Sequence, residues 1–307
     1  MSTKGKVHIP VGQEALEEKG WYGAYKFLIW RRVSQFFFLF LFLMGPWFGI
    51  WWVKGTLAGS MTFNFLPLND PFILTQMFAT GHWPETTAII GGLLVMLVYA
   101  LVGGRVYCSW VCPINPVTDG ASWLHRKLNI QKGWQPKRSA RLWILGTVLL
   151  ISFLTGTIAW EVVNPVTMLH RGLVFGMGWV WGLVGAIFIF DLFVARHGWC
   201  GHVCPVGAFY GLLGSKSLLR ISAVKRDACD DCMDCYAVCP EIHVISPALK
   251  GKGEATPLIL SPDCTNCGRC IDVCAMDVFA FTNRFDTHVD ASTEAASNPE
   301  SPTQNAA

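Results

Sequence analysis

Twelve cysteines in 307 residues carry the chemistry of this sequence. Eight fall in two consecutive runs. CDDCMDCYAVCP holds Cys229, Cys232, Cys235 and Cys239, and CTNCGRCIDVCA holds Cys264, Cys267, Cys270 and Cys274. Two runs of this spacing are the pattern that binds a pair of 4Fe–4S clusters. Three cysteines of a run wrap one cluster and the fourth reaches the other. The spacing therefore predicts Cys229, Cys232, Cys235 and Cys274 on one cluster, and Cys264, Cys267, Cys270 and Cys239 on the second. Zinc fits less well, because it needs four ligands at one site rather than a three-plus-one ladder. Ala275 stands where a proline usually follows; proline is no ligand, so only the local turn is affected.

The other four cysteines form two pairs. YCSWVCPINP carries Cys108 and Cys112, and WCGHVCPVGA carries Cys200 and Cys204. Each pair follows an apolar run and ends in proline. On a helix this spacing puts both sulfurs on one face, and the proline caps the pair or opens a new helix. Four thiolates at one surface suffice for one further metal or cluster. A thiol–disulfide couple and plain hydrophobic burial are the alternatives. The duplication with the same proline favours a shared redox centre.

The elements that must position these residues are greasy. The chain is 52% hydrophobic and 15% charged, where soluble domains carry about a quarter charged residues. Residues 33–53, 87–104, 142–160 and 173–195 are apolar enough for four spans. Lysine and arginine alternate along the chain: six up to Arg32, one in 54–86, seven in 105–141, one in 161–172, and nine from Arg196 on. By the positive-inside rule both termini and every cysteine lie in the cytoplasm of a cell whose inner membrane the chain crosses. Thiols stay reduced there, which argues for metal rather than disulfides. The first apolar run starts too late for a cleaved leader. The formal charge of +3 gives no reason to expect nucleic acid.

The expected fold is thus an α-helical integral membrane protein of four transmembrane helices. They form two parallel repeats, each two spans and a cysteine pair, with a C-terminal cytoplasmic ferredoxin-like domain for two 4Fe–4S clusters. Residues 1–32 read as a cytoplasmic arm, 33–220 as the membrane domain, 221–283 as the ferredoxin-like domain and 284–307 as a disordered tail. In the first outside loop, Asp70 and Pro71 read as the cap and first residue of a helix. That helix either lies in the interface or belongs to a loop tucked against the spans. The glycines of GMGWVWG, residues 176–182, read as a helix-packing face.

No haem, flavin or nicotinamide motif is present, so a membrane-dissolved reductant, quinol, is the expected electron donor. Its oxidation needs one-electron acceptors and a proton acceptor. Asp191 is the one acid inside a span, and such acids are functional by default. It either accepts a proton or pairs with Arg196 or Arg105. His170, Glu161 and His82 are rivals near the outside surface. His197 and His202, beside the second pair, read as solvated polar residues.

Four spans, paired C-x3-C-P motifs after the second and fourth, and a C-terminal double ferredoxin run together resemble the NapH family. Its members are membrane-bound ferredoxin-type quinol dehydrogenase components of periplasmic nitrate reductase systems. The resemblance covers about residues 30–281. It implies electron transfer from membrane quinol toward the periplasmic nitrate reductase, with a periplasmic ferredoxin-type protein (NapG) and a membrane tetrahaem cytochrome (NapC) as partners. It carries the eight ferredoxin cysteines over as ligands and matches the paired cysteines to the family motif. Two relatives compete: a nitrous-oxide-reduction regulator with a periplasmic flavin domain, for which the N-terminal arm is short, and an assembly factor for cbb3-type oxidases with an immunoglobulin-like end. An iron–sulfur sensor or maturation factor without quinol turnover is the alternative from a different class.

Overall fold

The computed structural model describes residues 10–128, 130, 137–251 and 256–286. Of the tail expected over 284–307, residues 284–286 are described, the Arg284 N–H donating to the Leu218 carbonyl at 2.7 Å, and the rest lies outside the described residues. Helix α1, Gln13–Phe48, has 36 residues and is long and apolar enough to cross a membrane. It runs through the stretch expected as a separate arm, broken only at Gly20, whose φ of 69° is non-helical. It stops at Gly49, whose N–H returns to the Gly45 carbonyl, short of the expected end at residue 53.

A three-stranded antiparallel sheet follows: β1 (Val53–Gly55), β2 (Gly59–Thr62) and β3 (Leu66–Asn69). Then come α2 (Pro71–Ala79), α3 (Thr86–Val102), α4 (Val106–Trp110), α5 (Asn115–Lys127), α6 (Ala140–Thr155), α7 (Pro165–Phe175), α8 (Trp179–Ile189) and α9 (Pro205–Leu213). Besides α1, the apolar helices Thr86–Val102, Ala140–Thr155 and Trp179–Val194 are shorter.

Two expectations are corrected here. The segment 173–195 is two helices, because Gly176 at φ 68° ends α7 and Gly178 opens α8. The glycines of 176–182 are also no packing face: a Cβ on Gly176, Gly178 or Gly182 would meet nothing within 4 Å.

Helices α2 and α7 share one construction. Asp70 Oδ1 accepts from the Phe72 N–H at 2.9 Å, and Asn164 Oδ1 from the Val166 N–H at 3.1 Å, each followed by a proline at the first helical position. Asx oxygen and proline together account for two of the orphan donors of a helix start. Helix α2 does not lie on an interface: Phe72 and Gln76 are fully buried. Gln76 Oε1 accepts from the Trp160 N–H and the Ser152 hydroxyl. The cap of α2 is therefore deep, and Asp70 Oδ1 also accepts from the Tyr210 hydroxyl of α9 at 3.3 Å.

The end of α3 and the end of α9 cross with no side chain between them. A Cβ on Gly104 would overlap the Tyr210 carbonyl and the Gly214 backbone, and one on Gly214 would overlap Gly104. That crossing brings the first cysteine pair beside the second. The second half of the chain closes on β4 (Leu219–Ser222) and β5 (Ala280–Asn283), paired antiparallel with Ile221 opposite Phe281. Between them lie α10 (Asp234–Val238), α11 (Ile245–Leu249) and α12 (Arg269–Asp272), packed around Ile221, Val244, Ile245, Ile259 and Val278. Helix α1 docks on this half. Asp272 accepts from the N–H groups of Phe27 and Leu28 at 3.0 Å, Asp234 from that of Gly12, and Phe27 packs edge-on to Phe281.

Candidate redox site

Two turns of the same kind build the ferredoxin half. Asp231 and Met233 in the first run, and Asn266 and Gly268 in the second, have positive φ. These left-handed residues curl each run into a loop before its short helix, α10 or α12. The result is two small cavities of about 20 Å³ each. Cys229, Cys232, Cys235 and Cys274 line one, and Cys239, Cys264, Cys267 and Cys270 the other. The fourth cysteine of each run thus reaches the other cavity. At Ala275 the turn closes without proline, the Val278 N–H reaching Cys274 Sγ at 3.4 Å. Burial pushes the thiols up, to about 11 for Cys232 and Cys264 and about 12 for Cys235. Metal binding there would release protons. Soft sulfur donors, four to a cavity, fit an iron–sulfur cluster.

The paired cysteines meet. A third cavity, of about 30 Å³, is lined by Cys112, Cys200 and Cys204 together with Asp70, Asn164 and Trp199. Cys108 is half-buried next to it, close enough to bear electrostatically on Cys112, Cys200 and Cys204. Neither pair sits on an α-helical face, however. The Cys112 N–H bonds the Tyr107 carbonyl at 3.0 Å and the Cys204 N–H the Trp199 carbonyl at 2.9 Å. Both bonds span five residues. The second pair lies in a π-helical turn, Trp199–Val203, a device common at functional sites; at the first, the Tyr107 carbonyl also accepts the Val111 N–H at 3.0 Å, so Cys108 sits in α4 and Cys112 just past its end. Among the described residues, three ligand atoms gather within 4.8 Å only at Glu14, Asp230 and Cys232, and at Glu241, His243 and Asp263. The paired cysteines and the ferredoxin sets are both spread wider than the ligands of a single ion.

Helix ends surround the third cavity. The capped starts of α2 and α7 line it through Asp70 and Asn164, and Cys204 is itself the cap of α9. Three N-termini direct partial positive charge at a site of thiolates. Burial still pushes Cys204 up to about 12, opposed by backbone N–H groups of Val206 and Gly207. The Cys108 thiol is raised by burial and held back by the Arg105 guanidinium.

Arg105 joins this site to the ferredoxin half. It is 2% exposed. Its Nη1 donates to Glu241 Oε1 and to the Asp263 carbonyl, both at 2.7 Å, and its Nη2 to the Cys200 carbonyl at 3.1 Å. Glu241 and Asp263 lie beside Cys239 and Cys264, so one side chain touches the surroundings of two cysteine cavities. Arg141 completes the network with Glu241 at 3.3 Å and with Asp263. Ser109, between the first pair, donates to the Thr265 carbonyl at 2.7 Å, and Trp110 to that of Asn266. The loop from Cys264 to Cys267 therefore rests directly on the first pair.

The candidate proton groups separate. Asp191 is fully buried, but it pairs with neither Arg196 nor Arg105. Its Oδ1 accepts from the Trp199 N–H at 2.8 Å, holding the turn that carries Cys200. Arg196 instead donates to the carbonyls of Ala237 and Cys239. His197 is not solvated: it is 3% exposed, 3.8 Å from Asp119, and burial brings it down to about 4. His202 is half-buried and lowered by burial. His170 is buried edge-on to Phe42. Glu161 pairs with Arg171 at 3.1 Å, and His82 is exposed. None of the last three lines the cysteine cavities. Sequence reasoning missed Asn164, Glu241 and Asp263. Only Asn164 had a signal, the Asn-Pro that repeats the earlier Asp-Pro.

Comparison with known proteins bears on the same residues. A family described as a 4Fe-4S binding domain matches residues 85–131 and again 175–222, the two segments that hold the cysteine pairs. A 4Fe-4S dicluster domain matches residues 228–278. The ferredoxin-type protein NapH of Haemophilus influenzae is 50% identical over 90% of this chain and 96% of its own. NapH of Escherichia coli is 48% identical over 89% and 95%. The methylamine utilization ferredoxin-type protein MauN of Paracoccus denitrificans is 52% identical over 88% and 95%. No solved structure matches the chain.

Proposed function

The chain belongs to the NapH family of ferredoxin-type proteins and is an iron–sulfur electron-transfer protein; from that premise we propose that it carries electrons from membrane quinol toward a periplasmic nitrate reductase. NapG-like and NapC-like proteins are its proposed partners. The observation that carries this reading is the succession of three cysteine-lined cavities of similar size, joined through one molecule.

Cys229, Cys232, Cys235 and Cys274 would hold one cluster, and Cys239, Cys264, Cys267 and Cys270 the second. Cys108, Cys112, Cys200 and Cys204 would hold a third centre. Clusters bound there would supply one-electron carriers, which two-electron quinol oxidation requires. The chain's own residues do the rest. Helices α2, α7 and α9 aim their N-termini at the third centre, and Arg105 fixes its distance from the second. Asp191 orients the turn bearing Cys200.

The four-span topology goes with this reading. The apolar half of α1 and the helices α3, α6 and α8 would cross the bilayer with both termini inside. Helices α2 and α7 would be re-entrant, starting deep at their Asx caps and running out to the surface. Protein buries their backbone, as irregular segments at membrane depth require.

The equal identity of MauN supports a second reading, in which the same electron-transfer unit serves methylamine utilization. Anaerobically purified protein titrated with quinol tests the first step. Quinol-dependent bleaching of the cluster absorbance is expected. Clusters that respond to dithionite and never to quinol would leave a sensor or maturation factor. Complementation of strains lacking NapH or MauN separates the two destinations.

A further inference from the structure

Helices α1 and α5 open a cleft of about 720 Å³, away from the three cysteine cavities. Arg31, Arg32, Arg126, Lys127 and Arg269 line it against one acid, Asp119. Asp119 is already taken, by Arg31 at 3.1 Å and Arg32 at 2.5 Å. Asp272 holds Arg269 at 2.8 Å. Among the described residues no carboxylate oxygen lies within 4.0 Å of Arg126 or Lys127. Arg126 makes one long contact, to the Ala237 carbonyl at 3.4 Å. Lys127 rests over the Trp123 ring at 5.1 Å.

Like charges gathered in a partly buried cleft repel one another, and among the described residues no carboxylate pairs with these two. Burial, and then the neighbouring Arg196 and Arg269, bring the Arg126 guanidinium down to about 10. The position supplies the source of the missing anion. Arg31 and Arg32 stand at the foot of the apolar half of α1, and Trp123 at the rim is 55% exposed. Basic pockets beside spanning helices bind lipid headgroups, and guanidinium groups fit phosphate through paired N–H donors.

We propose that the cleft between α1 and α5 binds the phosphate of an anionic phospholipid headgroup, held by Arg126 and Lys127. The proposal rests on the membrane reading for the source of the phosphate, and on no redox step.

The test uses the full chain in neutral detergent. Retention of phosphatidylglycerol, cardiolipin and phosphatidylcholine is read by native mass spectrometry, and protection by each lipid and by inorganic diphosphate is read by thermal shift. Anionic lipid should be retained and protective, phosphatidylcholine not. The double change Arg126→Gln and Lys127→Gln should weaken retention about tenfold or more, the scale of one charge-assisted hydrogen bond. Arg126→Lys should restore part of it, and Lys54→Gln in β1 should change nothing. Iron and sulfide content should hold in every variant, which shows folding and keeps this result separate from quinol turnover. Equal retention of phosphatidylcholine, or no loss in the double variant, overturns the proposal. Protection by diphosphate without lipid retention also overturns it, and assigns the cleft to a free phosphate.

Discussion

Arg105 Nη1 lies 2.7 Å from Glu241 Oε1, and neither side chain is more than 3% exposed. The two residues are 136 positions apart and belong to different halves of the chain. A buried pair of this kind is a weak source of net stability, because both charges lose their water. Its value is positional: it fixes the first cysteine pair against the turn that follows Cys239.

Removing one partner strands the other. Arg105→Met should destabilise the protein by about 3 kcal/mol, the low end for a broken buried pair, because Arg141 still reaches Glu241. Adding Glu241→Leu should return part of that loss. Denaturant unfolding of the two single variants and the double variant measures the coupling. Additive losses would show that the pair does not hold the halves together.

The crossing of Gly104 and Gly214 makes a sharper demand. Gly104→Ala drives a methyl group into the Tyr210 carbonyl and Gly214, and backbone cannot move aside cheaply. The expected cost is about 2 kcal/mol or more, seen as a lower midpoint or as failure to express. Gly182→Ala is the contrast. It lies inside α8 with open space at its Cβ, so it should be neutral or stabilise by about 0.5–1 kcal/mol.

Much of this was legible beforehand, for a physical reason in each case. Cluster spacing is local, so the sets led by Cys229 and by Cys264 could be sorted from sequence, and the cavities collect the same sets. The duplicated proline motif likewise pointed to a meeting of Cys112 with Cys204. The geometry of that meeting was hidden. A four-residue spacing reads as an α-helical face, while α4 ends before Cys112 and the second pair sits in a π-type turn. Hydropathy alone could not divide residues 173–195, since Gly176 breaks the helix through its conformation and not its polarity. Asp191 was visible as an odd acid in an apolar run, but its partner is a backbone N–H, which no side-chain pairing rule names. Arg105 with Glu241 could not be read at all, because the pairing exists only once the halves dock.

Topology is open to a direct check. Reporter fusions after Lys54, Arg141, Arg171 and Arg220 should read outside, inside, outside, inside, as the distribution of lysine and arginine demands. A fusion within α2 should disturb the order only by breaking the fold. An inside signal after Lys54 would refute four spans.

His197 predicts a pH dependence. Burial lowers it from 6.5 to about 4, against a smaller opposing pull from Asp119. It is thus neutral in the folded protein, while the unfolded chain takes up a proton below pH 6.5. Stability contributed by this site is fully present above pH 6.5 and falls as the pH drops toward 4, by about 3 kcal/mol in all. Asparagine tolerates the positive φ of 53° at this position. His197→Asn should therefore flatten unfolding midpoints between pH 6.5 and 4.5. An unchanged slope would mean the imidazole is already charged in the fold.

The four paired cysteines supply the decisive count. The ferredoxin runs account for about eight iron and eight sulfide per chain. A centre shared between the pairs adds iron above that number, and it needs ligands from both turns, since Cys112, Cys200 and Cys204 line a single cavity. Cys112→Ser and Cys204→Ser should each remove the same excess iron, and the double variant should remove no more. This non-additivity is the mark of one site. The ferredoxin clusters should still assemble in all three proteins and still respond to dithionite, because their cysteines line separate cavities. Quinol-dependent reduction should vanish in each. Iron and acid-labile sulfide assays after anaerobic preparation, read with the quinol titration, measure both halves of the expectation. Wild-type protein with only about eight iron, or serine variants that keep the full complement and the quinol response, would return the pairs to hydrophobic packing.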